Sequence, residues 1–378
     1  MNDEEYRKKW EDRMYAYRKK MIKEHRLTTL FLEMTLNCNA HCEHCGSRCG
    51  DVFNKSELST QEFKDVLQLI ADTPGYCPNN IMLNVTGGEP LVRKDIFEIT
   101  EHADKLGFRW GMTTNGILID EEVVKNMERT HMYSVSVSLD GLKETHESFR
   151  KVPGSFDKIL HGLDLLVKSK IPYVQVTTCV SPKNIDELEG IYQLLQEHKI
   201  KQWRIVSVDP IGRAKDNKDI LLDKNGLLRM YKFIEHIKLT NPEMDMRYGC
   251  IHFLGTVLEP IIHDDIPFIC DTGINTASIL ANGDIFVCTN VARRPELIQG
   301  NVRKDNFIDV WEHKFKPFRK LTRTQNNKCK NCIDRKLCFG DAFHTWNFDD
   351  NEPNFCIHKF FQEEYALEKK LNKRKKDK

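Results

Sequence analysis

The segment from residue 29 to residue 45 reads TLFLEMTLNCNAHCEHC, an apolar run followed directly by three cysteines. The run at 29–36 has the length and the apolar character of a buried strand. Cys38, Cys42 and Cys45 follow it in a C-x3-C-x2-C spacing, and thiolate is the soft ligand that iron–sulfur clusters require. Three ligands in one loop would leave one iron of a four-iron cluster open, and catalytic metal centres bind a substrate or cofactor at such an open position.

Two other metal sites are compatible with parts of this motif. Cys42 and Cys45 could form half of a zinc site together with Cys329 and Cys332, but zinc does not explain a third cysteine at x3 spacing after a strand. Cys49 could extend the run towards a ferredoxin-like set, although that set normally ends in Cys-Pro and Cys49 is followed by a glycine. The motif therefore favours an iron–sulfur cluster with an open iron.

The alternation of apolar runs and helical stretches from residue 28 to about residue 240 predicts a parallel α/β fold. Apolar runs typical of strands lie at 29–36, 80–86, 108–113, 133–139, 172–180 and 203–208. Helical stretches follow at 60–72, 94–106, 120–129, 155–169, 185–198 and 225–239. Six strand–helix units in succession argue for right-handed crossovers. They predict a partial (β/α)6 TIM barrel, in which chemistry collects at the carboxyl ends of the strands.

Polar or glycine-rich motifs follow several of the predicted strands. They are TGGEP at 86–90, TTNG at 113–116, SVSLDG at 136–141 and PIGRA at 210–214. Together with the cysteine loop, this ordered set resembles the radical S-adenosylmethionine (radical SAM) superfamily over residues 28–215. The resemblance implies that a [4Fe-4S] cluster on Cys38, Cys42 and Cys45 binds S-adenosylmethionine and cleaves it reductively. The resulting 5′-deoxyadenosyl radical would abstract hydrogen from a substrate.

The same resemblance implies which side chains contact S-adenosylmethionine. The glycines of TGGEP let the backbone approach the cofactor, and Glu89 would bind its methionine amino group. Arg150 is expected at the carboxylate, because a guanidinium pairs a carboxylate bidentately, and Ser138 at the ribose or carboxylate side. The complete expected set is Gly87, Gly88, Glu89, Thr114, Asn115, Ser138 and Arg150. The sequence assigns no catalytic acid or base.

A second group of cysteines lies beyond residue 245 and resembles the SPASM extension of the superfamily, which implies one or two auxiliary [4Fe-4S] clusters. One cluster would be held by Cys329, Cys332, Cys338 and Cys356. The other would take Cys250, Cys270 and Cys288. Ala342 stands where the extension has a further cysteine. The cluster on Cys250, Cys270 and Cys288 would therefore have an open iron, use a ligand such as Asp341, or not form.

The 378 residues include 57 basic and 56 acidic ones, a formal net charge of +1, so no overall field recruits nucleic acid. No apolar run reaches the roughly 20 residues that span a bilayer. The N-terminus has no signal-peptide pattern, and thirteen cysteines without one indicate metal binding in a reducing cytoplasm. The expected segments are an amphipathic helix at 1–25, the radical SAM partial barrel at 26–244, a cysteine-rich SPASM-like domain at 245–362 and a basic tail at 363–378.

SPASM-bearing enzymes mostly act on peptides and proteins, so the resemblance implies a ribosomally made precursor peptide as substrate and a thioether or carbon–carbon cross-link as product. Oxidation of a protein side chain, as in sulfatase-maturing enzymes, is an alternative, although those generally have Asp where this chain has Thr289. A multi-cluster electron carrier is a second alternative, but it would need no cofactor pocket. Leader recognition is expected from a separate protein, the N-terminal helix or an open groove. A flavodoxin- or ferredoxin-type protein is the expected electron donor.

Overall fold

The computed structural model describes residues 3–50, 56–249, 252–255, 259–263, 269–320, 325–326, 328–354 and 356–361. Its first element is a long helix, α1 (Asp3–Glu24). The helix packs on the cysteine-rich part of the chain, where the Arg18 guanidinium donates to the Leu337 carbonyl at 2.8 Å and lies over the Phe339 ring. Cys250 and the basic tail at 363–378 lie outside the described residues.

The six predicted strand–helix units are confirmed. The strands are β1 (Thr29–Glu33), β2 (Met82–Thr86), β3 (Arg109–Thr114), β4 (Ser134–Ser138), β5 (Tyr173–Val180) and β6 (Gln202–Ser207). The helices are α2 (Thr60–Asp72), α3 (Ile96–Lys105), α4 (Glu121–Arg129), α5 (Lys143–Arg150), α6 (Ser155–Val167), α7 (Leu188–Glu197) and α8 (Lys224–Thr240). Helix α5 was not predicted, and it inserts between β4 and α6.

Local sequence explains where several of these helices begin. Ser59 and Glu62 form a capping box at α2, in which the Ser59 backbone N–H donates to the Glu62 carboxylate at 2.7 Å. Asp120 caps α4 by accepting from the Val123 N–H at 2.8 Å. These caps fix the helix starts at the end of the barrel that carries the cysteine loop, since each helix begins near the carboxyl end of one strand and returns the chain to the start of the next.

The sheet is longer than the six predicted strands. Four more strands join it: β7 (Asp245–Tyr248), β8 (Thr276–Ile279), β9 (Asp284–Phe286) and β10 (Ile298–Asn301). The strand order is β10-β9-β8-β1-β2-β3-β4-β5-β6-β7, with all neighbours from β8 through β1 to β7 parallel. The cysteine-rich part therefore continues the barrel sheet beside the strand that carries the cysteine loop.

The remaining described elements are short. They are α9 (Glu259–Ile262), α10 (Phe307–His313), α11 (Arg335–Cys338) and the two-stranded sheet of β11 (Trp346–Asn347) and β12 (Glu352–Pro353). One apolar core extends from Leu30 in β1 to Ile279 in β8 and Trp311 in α10. Because β7 and β8 both lie beyond residue 244 yet pair with barrel strands, the division of the chain at 244 stays a prediction. None of the helices in the described ranges combines the length and the apolar character needed to cross a membrane.

Candidate functional site

The carboxyl ends of the barrel strands surround a cavity of about 300 Å³, which we call the inner cavity. The expected residues that line it are Cys38, Cys42, Cys45, Gly87, Gly88, Thr114, Asn115, Ser138 and Arg150. They follow or end the four strands β1 to β4, apart from Arg150 at the end of α5, because the parallel sheet brings these strand ends to one edge. The motifs recognised in the sequence thus converge on one space.

Burial governs the pKa of two thiols in the cysteine loop, those of Cys38 and Cys42. It raises the pKa of Cys38 to about 11, and it also raises the pKa of Cys42, although Arg150 opposes the rise. A buried thiolate is unfavourable without a nearby positive charge, and a bound metal would supply that charge. The thiols of Cys38 and Cys42 therefore fit an iron–sulfur cluster better than the chemistry of a reactive cysteine.

Cys49 is a fourth thiol at the inner cavity. Its backbone N–H donates to Cys45 Sγ at 3.4 Å. A hydrogen bond between the two thiols lowers the pKa of Cys45 and raises that of Cys49. The sequence offered Cys49 only as the end of a ferredoxin-like run, whereas the structure places it beside the first three cysteines.

The PIGRA motif after β6 holds the cysteine loop in place. The Arg213 backbone N–H donates to the Cys45 carbonyl at 3.0 Å, and its Nε donates to the Cys42 carbonyl at 2.8 Å. Its Nη1 donates to the Cys49 carbonyl at 3.0 Å. Gly212 has a φ of 56°, and a Cβ there would lie 2.2 Å from the Cys45 carbonyl oxygen. The motif was noted in the sequence, but its function as a clamp was missed because the contacts join segments far apart in the chain.

The two glycines of TGGEP lie directly against the backbone that leads into the cysteine loop. The Gly88 N–H donates to the Thr35 carbonyl at 2.8 Å, and the Glu89 N–H donates to the Asn37 carbonyl at 2.9 Å. A Cβ on Gly87 would lie 2.3 Å from the Thr35 oxygen, and one on Gly88 would lie 2.1 Å from the Asn37 oxygen. The glycines are therefore required for the close approach of the two loops.

Glu89 lies behind the inner cavity and is absent from the described residues that line it. Its fully buried carboxylate accepts from Thr114 Oγ1 at 2.8 Å and from the Asn115 N–H at 2.7 Å. Burial raises the pKa of Glu89, although these hydrogen bonds oppose the rise. The contacts that the structure describes for Glu89 therefore orient the TTNG motif after β3.

Arg150 is held in an ion pair that the sequence did not indicate. Its Nη2 lies 2.6 Å from Asp140 Oδ2, and its Nη1 donates to Cys42 Sγ at 3.8 Å. Burial by itself would raise the pKa of Asp140, but Arg150, His44 and His146 hold that pKa below its usual range. Burial lowers the pKa of both histidines to about 4. Asp140 therefore stays ionised and aims the guanidinium at the cavity.

The auxiliary cysteines divide into two sets. Burial raises the pKa of Cys356, and the nearby thiols of Cys332 and Cys329 add to the rise; Cys356 in turn raises the pKa of Cys338. Cys356 therefore interacts electrostatically with each of the other three thiols, as members of a shared cluster would. In the second set, Cys288 is buried, Cys270 Sγ accepts from the Phe343 N–H at 3.5 Å, and Cys250 lies outside the described residues.

Asp341 is already engaged by protein groups. Its Oδ2 lies 3.0 Å from His252 Nδ1, and its Oδ1 accepts from the Phe253 N–H at 3.1 Å and the Ala342 N–H at 2.9 Å. Ala342 is completely buried. Iron ligation by Asp341 would thus replace hydrogen bonds that hold the chain in this region.

A larger cavity of about 680 Å³, the outer cavity, lies next to the inner one. The two share Gly46, Ser47, Ile211 and His344 in their walls. The rest of the outer cavity wall includes aromatic, basic and acidic residues of the barrel loops and the cysteine-rich part, among them Arg48, Lys215, Asp216, Lys218, Arg293, Phe343, Trp346, Phe348 and Asp349. A substrate held there would face the inner cavity through the shared wall.

Residues 32–195 match the family model of the radical SAM superfamily. Residues 270–333 match that of SPASM, an iron-sulfur cluster-binding domain. The two matches cover the barrel from the end of β1 into α7, including the cysteine loop, and Cys270, Cys288, Cys329 and Cys332 of the second cysteine group. They agree with the resemblance to the radical SAM superfamily and to its SPASM extension that the sequence shows.

Two similar proteins are named for different activities. The chain is 26% identical over 348 residues to the AdoMet-dependent heme synthase of Methanosarcina barkeri (strain Fusaro / DSM 804), covering 86% of this chain and 95% of that protein. It is 26% identical over 310 residues to the mycofactocin maturase MftC of Mycolicibacterium smegmatis (strain ATCC 700084 / mc(2)155), covering 82% and 76%. The solved structure of native anSMEcpe with bound AdoMet and Cp18Cys peptide has a TM-score of 0.68 and 20% identity, covering 93% of this chain and 99% of that chain. That likeness shows the shared fold.

Proposed function

The chain belongs to the radical SAM superfamily and carries a SPASM domain, and we propose that it oxidises a peptide. The peptide would be a ribosomally made precursor, in which the enzyme installs a thioether or carbon–carbon cross-link. The observation that carries the proposal is the outer cavity, which adjoins the inner cavity and has a volume of about 680 Å³. This size falls in the range of protein ligand sites. Its aromatic and charged wall suits a segment of peptide with mixed side chains.

The proposed cofactor residues follow from the inner cavity. Cys38, Cys42 and Cys45 would hold the [4Fe-4S] cluster, and Arg150, fixed by Asp140, would pair the carboxylate of S-adenosylmethionine. When bound, the cluster and S-adenosylmethionine supply a 5′-deoxyadenosyl radical that removes a hydrogen atom from a C–H bond. The protein's part is to hold the target beside the cofactor and to exclude water.

The remaining cofactor contacts are proposed in the same way. The loops that end β2, β3 and β4 would surround S-adenosylmethionine with Gly87, Gly88, Thr114, Asn115 and Ser138, all of which line the inner cavity. Glu89 would act from behind them through its hydrogen bonds to the TTNG motif. The auxiliary clusters would be held by Cys329, Cys332, Cys338 and Cys356, and by Cys270 and Cys288 with Cys250.

The reaction needs an electron source and a way to recognise the peptide. We place it in the cytoplasm, where low-potential donors of the flavodoxin or ferredoxin type operate and thiols stay reduced. A separate leader-binding protein would bring the precursor. A further route to affinity is strand addition at β7, the last strand of the sheet, since an extended peptide gains main-chain hydrogen bonds at a sheet edge.

A second candidate substrate is a precursor of heme. The similarity to a heme synthase over 95% of that protein favours it, and so do Lys215 and Lys218, which could pair acidic groups at the outer cavity. The aromatic rings of Phe343, Trp346 and Phe348 could in turn stack on a planar macrocycle.

Deuterium transfer distinguishes these candidates. Anaerobically reconstituted protein would be given S-adenosylmethionine, a reductant, and either deuterated precursor peptides encoded beside its gene or a deuterated tetrapyrrole. We expect deuterium in 5′-deoxyadenosine and a mass change in the peptide. Transfer from the tetrapyrrole alone would contradict the peptide proposal. Absence of 5′-deoxyadenosine under all conditions would favour an electron carrier.

A further inference from the structure

His344 lies where the inner and outer cavities meet. It is mostly buried and sits in a single turn of 3₁₀ helix, Phe343–Thr345, after α11. Of the four described residues that line both cavities, His344 is the one with a titratable side chain; the others are Gly46, Ser47 and Ile211. A group at this position can reach both the cofactor space and a substrate in the outer cavity.

The barrel supplies a carboxylate next to this imidazole. Asp209 follows β6 and lines the inner cavity, and its Oδ2 lies 3.5 Å from His344 Nε2. The backbone beside Asp209 is anchored because the neighbouring Val208 N–H donates to the Val180 carbonyl of β5 at 3.1 Å. Burial raises the pKa of Asp209, and His344 and His252 offset part of that rise. The pair therefore joins a barrel strand to the cysteine-rich part at the cavity wall.

The turn that carries His344 is held independently of Asp209. The Thr345 hydroxyl donates to the Ala342 carbonyl at 2.9 Å, and the Asn354 N–H donates to the Thr345 carbonyl at 2.9 Å. The other titratable groups facing the pair are His252 and Asp341, which contact each other at 3.0 Å. The position of the turn is thus set by the fold, and the Asp209 carboxylate lies beside the imidazole that the turn carries.

Other groups at the inner cavity are less suited to accept a proton. Thr289 and Asn290, which follow Cys288, line the cavity without a group that titrates near neutral pH. His44 lies 3.3 Å from Asp140, is stacked on Phe149 and is absent from the described residues of the outer cavity. His44 therefore belongs to the support of Arg150, on the cofactor side.

We propose that His344 is a catalytic residue that accepts a proton from the substrate during its oxidation, and that Asp209 is the positioning residue for the imidazole. The inference rests on the proposed radical oxidation. A substrate C–H bond and a neighbouring S–H or second C–H bond break, and a bond forms between the carbon and that sulfur or second carbon atom. One hydrogen atom goes to the 5′-deoxyadenosyl radical, one proton goes to His344 and one electron goes to an iron–sulfur cluster. The proton then leaves through the outer cavity, which His344 also lines.

The first test is His344→Gln in the reconstituted holoenzyme with the substrate found by deuterium transfer. We expect deuterium still to enter 5′-deoxyadenosine while product formation falls about 100-fold or more, the usual effect of losing a general base. The matched control is His198→Gln, which removes another His–Asp pair, 2.7 Å from Asp164 and remote from the site. Iron content equal to wild type checks the fold. Product formation by His344→Gln at the wild-type rate would overturn the inference.

The second test needs no substrate. Diethyl pyrocarbonate modifies neutral imidazole, so the pH dependence of His344 modification, followed by mass spectrometry of its peptide, reports the protonation of that side chain. Because the Asp209 carboxylate favours imidazolium, Asp209→Asn should move the midpoint at His344 to lower pH and leave His198 unchanged. An unchanged midpoint at His344 would overturn the pairing. This test decides the pairing even if no substrate transfers deuterium, an outcome that would refute only the proposed function.

Discussion

Gly88→Ala tests whether the glycine contact between the β1 and β2 loops fixes the cofactor site. The new Cβ would lie 2.1 Å from the Asn37 oxygen and 2.7 Å from the Asn37 carbonyl carbon, where contacts below 3.0 Å are essentially never found. The oxygen is backbone, so the loops must separate by about 0.9 Å, the difference between 3.0 and 2.1. That shift strains the hydrogen bonds that Gly88 and Glu89 donate to the β1 loop at 2.8 and 2.9 Å.

The displacement leads directly to the cysteine loop, because Asn37 precedes Cys38. A misplacement of about 1 Å at reacting groups costs about 100-fold in rate, and forcing a methyl group into a packed site costs about 1–3 kcal/mol of stability. We therefore expect 5′-deoxyadenosine formation per cluster to fall about 100-fold, with a lower melting temperature. The assay is anaerobic turnover of S-adenosylmethionine, normalised to the iron bound.

The control for this variant is Gly190→Ala in α7. Its Cβ would approach only the flexible Leu142 side chain, at 3.2 Å and beyond, and alanine favours a helix over glycine by about 1 kcal/mol. We expect unchanged turnover. Wild-type turnover in Gly88→Ala would refute the reasoning, since it would mean that the loops separate without moving the cluster ligands.

Three further outcomes are expected. Replacing Cys38, Cys42 and Cys45 together by Ala should abolish cleavage of S-adenosylmethionine while auxiliary iron remains; normal 5′-deoxyadenosine production would contradict the cluster assignment. Anaerobic reconstitution should give at least about eight irons per chain, and saturation near about four would contradict the auxiliary clusters. Arg213→Ala should remove the side-chain hydrogen bonds to the cysteine loop, which lie at 2.8 and 3.0 Å. It should weaken cluster retention on dilution more than Arg229→Ala, which lies on exposed surface; equal retention would count against a clamp.

The sequence predicted those strands and helices that can be recognised from the apolar pattern of their own residues. Each of the six strand–helix units carries its own apolar run and helical stretch, so their bounds agree with the structure to within a few residues. Helix α5 was missed because its sequence, KETHESFR, offers one apolar side chain, Phe149, and its other buried residues are His146 and Arg150. Its buried face is polar because it faces Asp140. A hydrophobic pattern cannot show a helix of that kind.

The strands beyond β6 were missed for a different reason. Strand β8 has four residues, all buried, and it pairs with β1, which lies almost 250 residues earlier in the chain. A run that short is too brief to identify by periodicity, and its partner is fixed by tertiary structure. The same holds for the Arg213 clamp and for the Asp140–Arg150 pair, since spacing along the chain does not show which distant groups will meet.

The pairing of β8 with β1 joins the cysteine-rich part of the chain to the barrel strand that carries the cysteine loop. Glu33, at the end of β1, is buried, accepts from the Ala281 N–H at 3.0 Å and is ion-paired with Arg293. Arg293 in turn lines the outer cavity. The strand that carries the cysteine loop is thus bonded directly to the wall of the outer cavity. The barrel would then supply most of the wall around S-adenosylmethionine, with Thr289, Asn290 and His344 added from the cysteine-rich part, whereas the outer cavity would select substrate with residues from both parts.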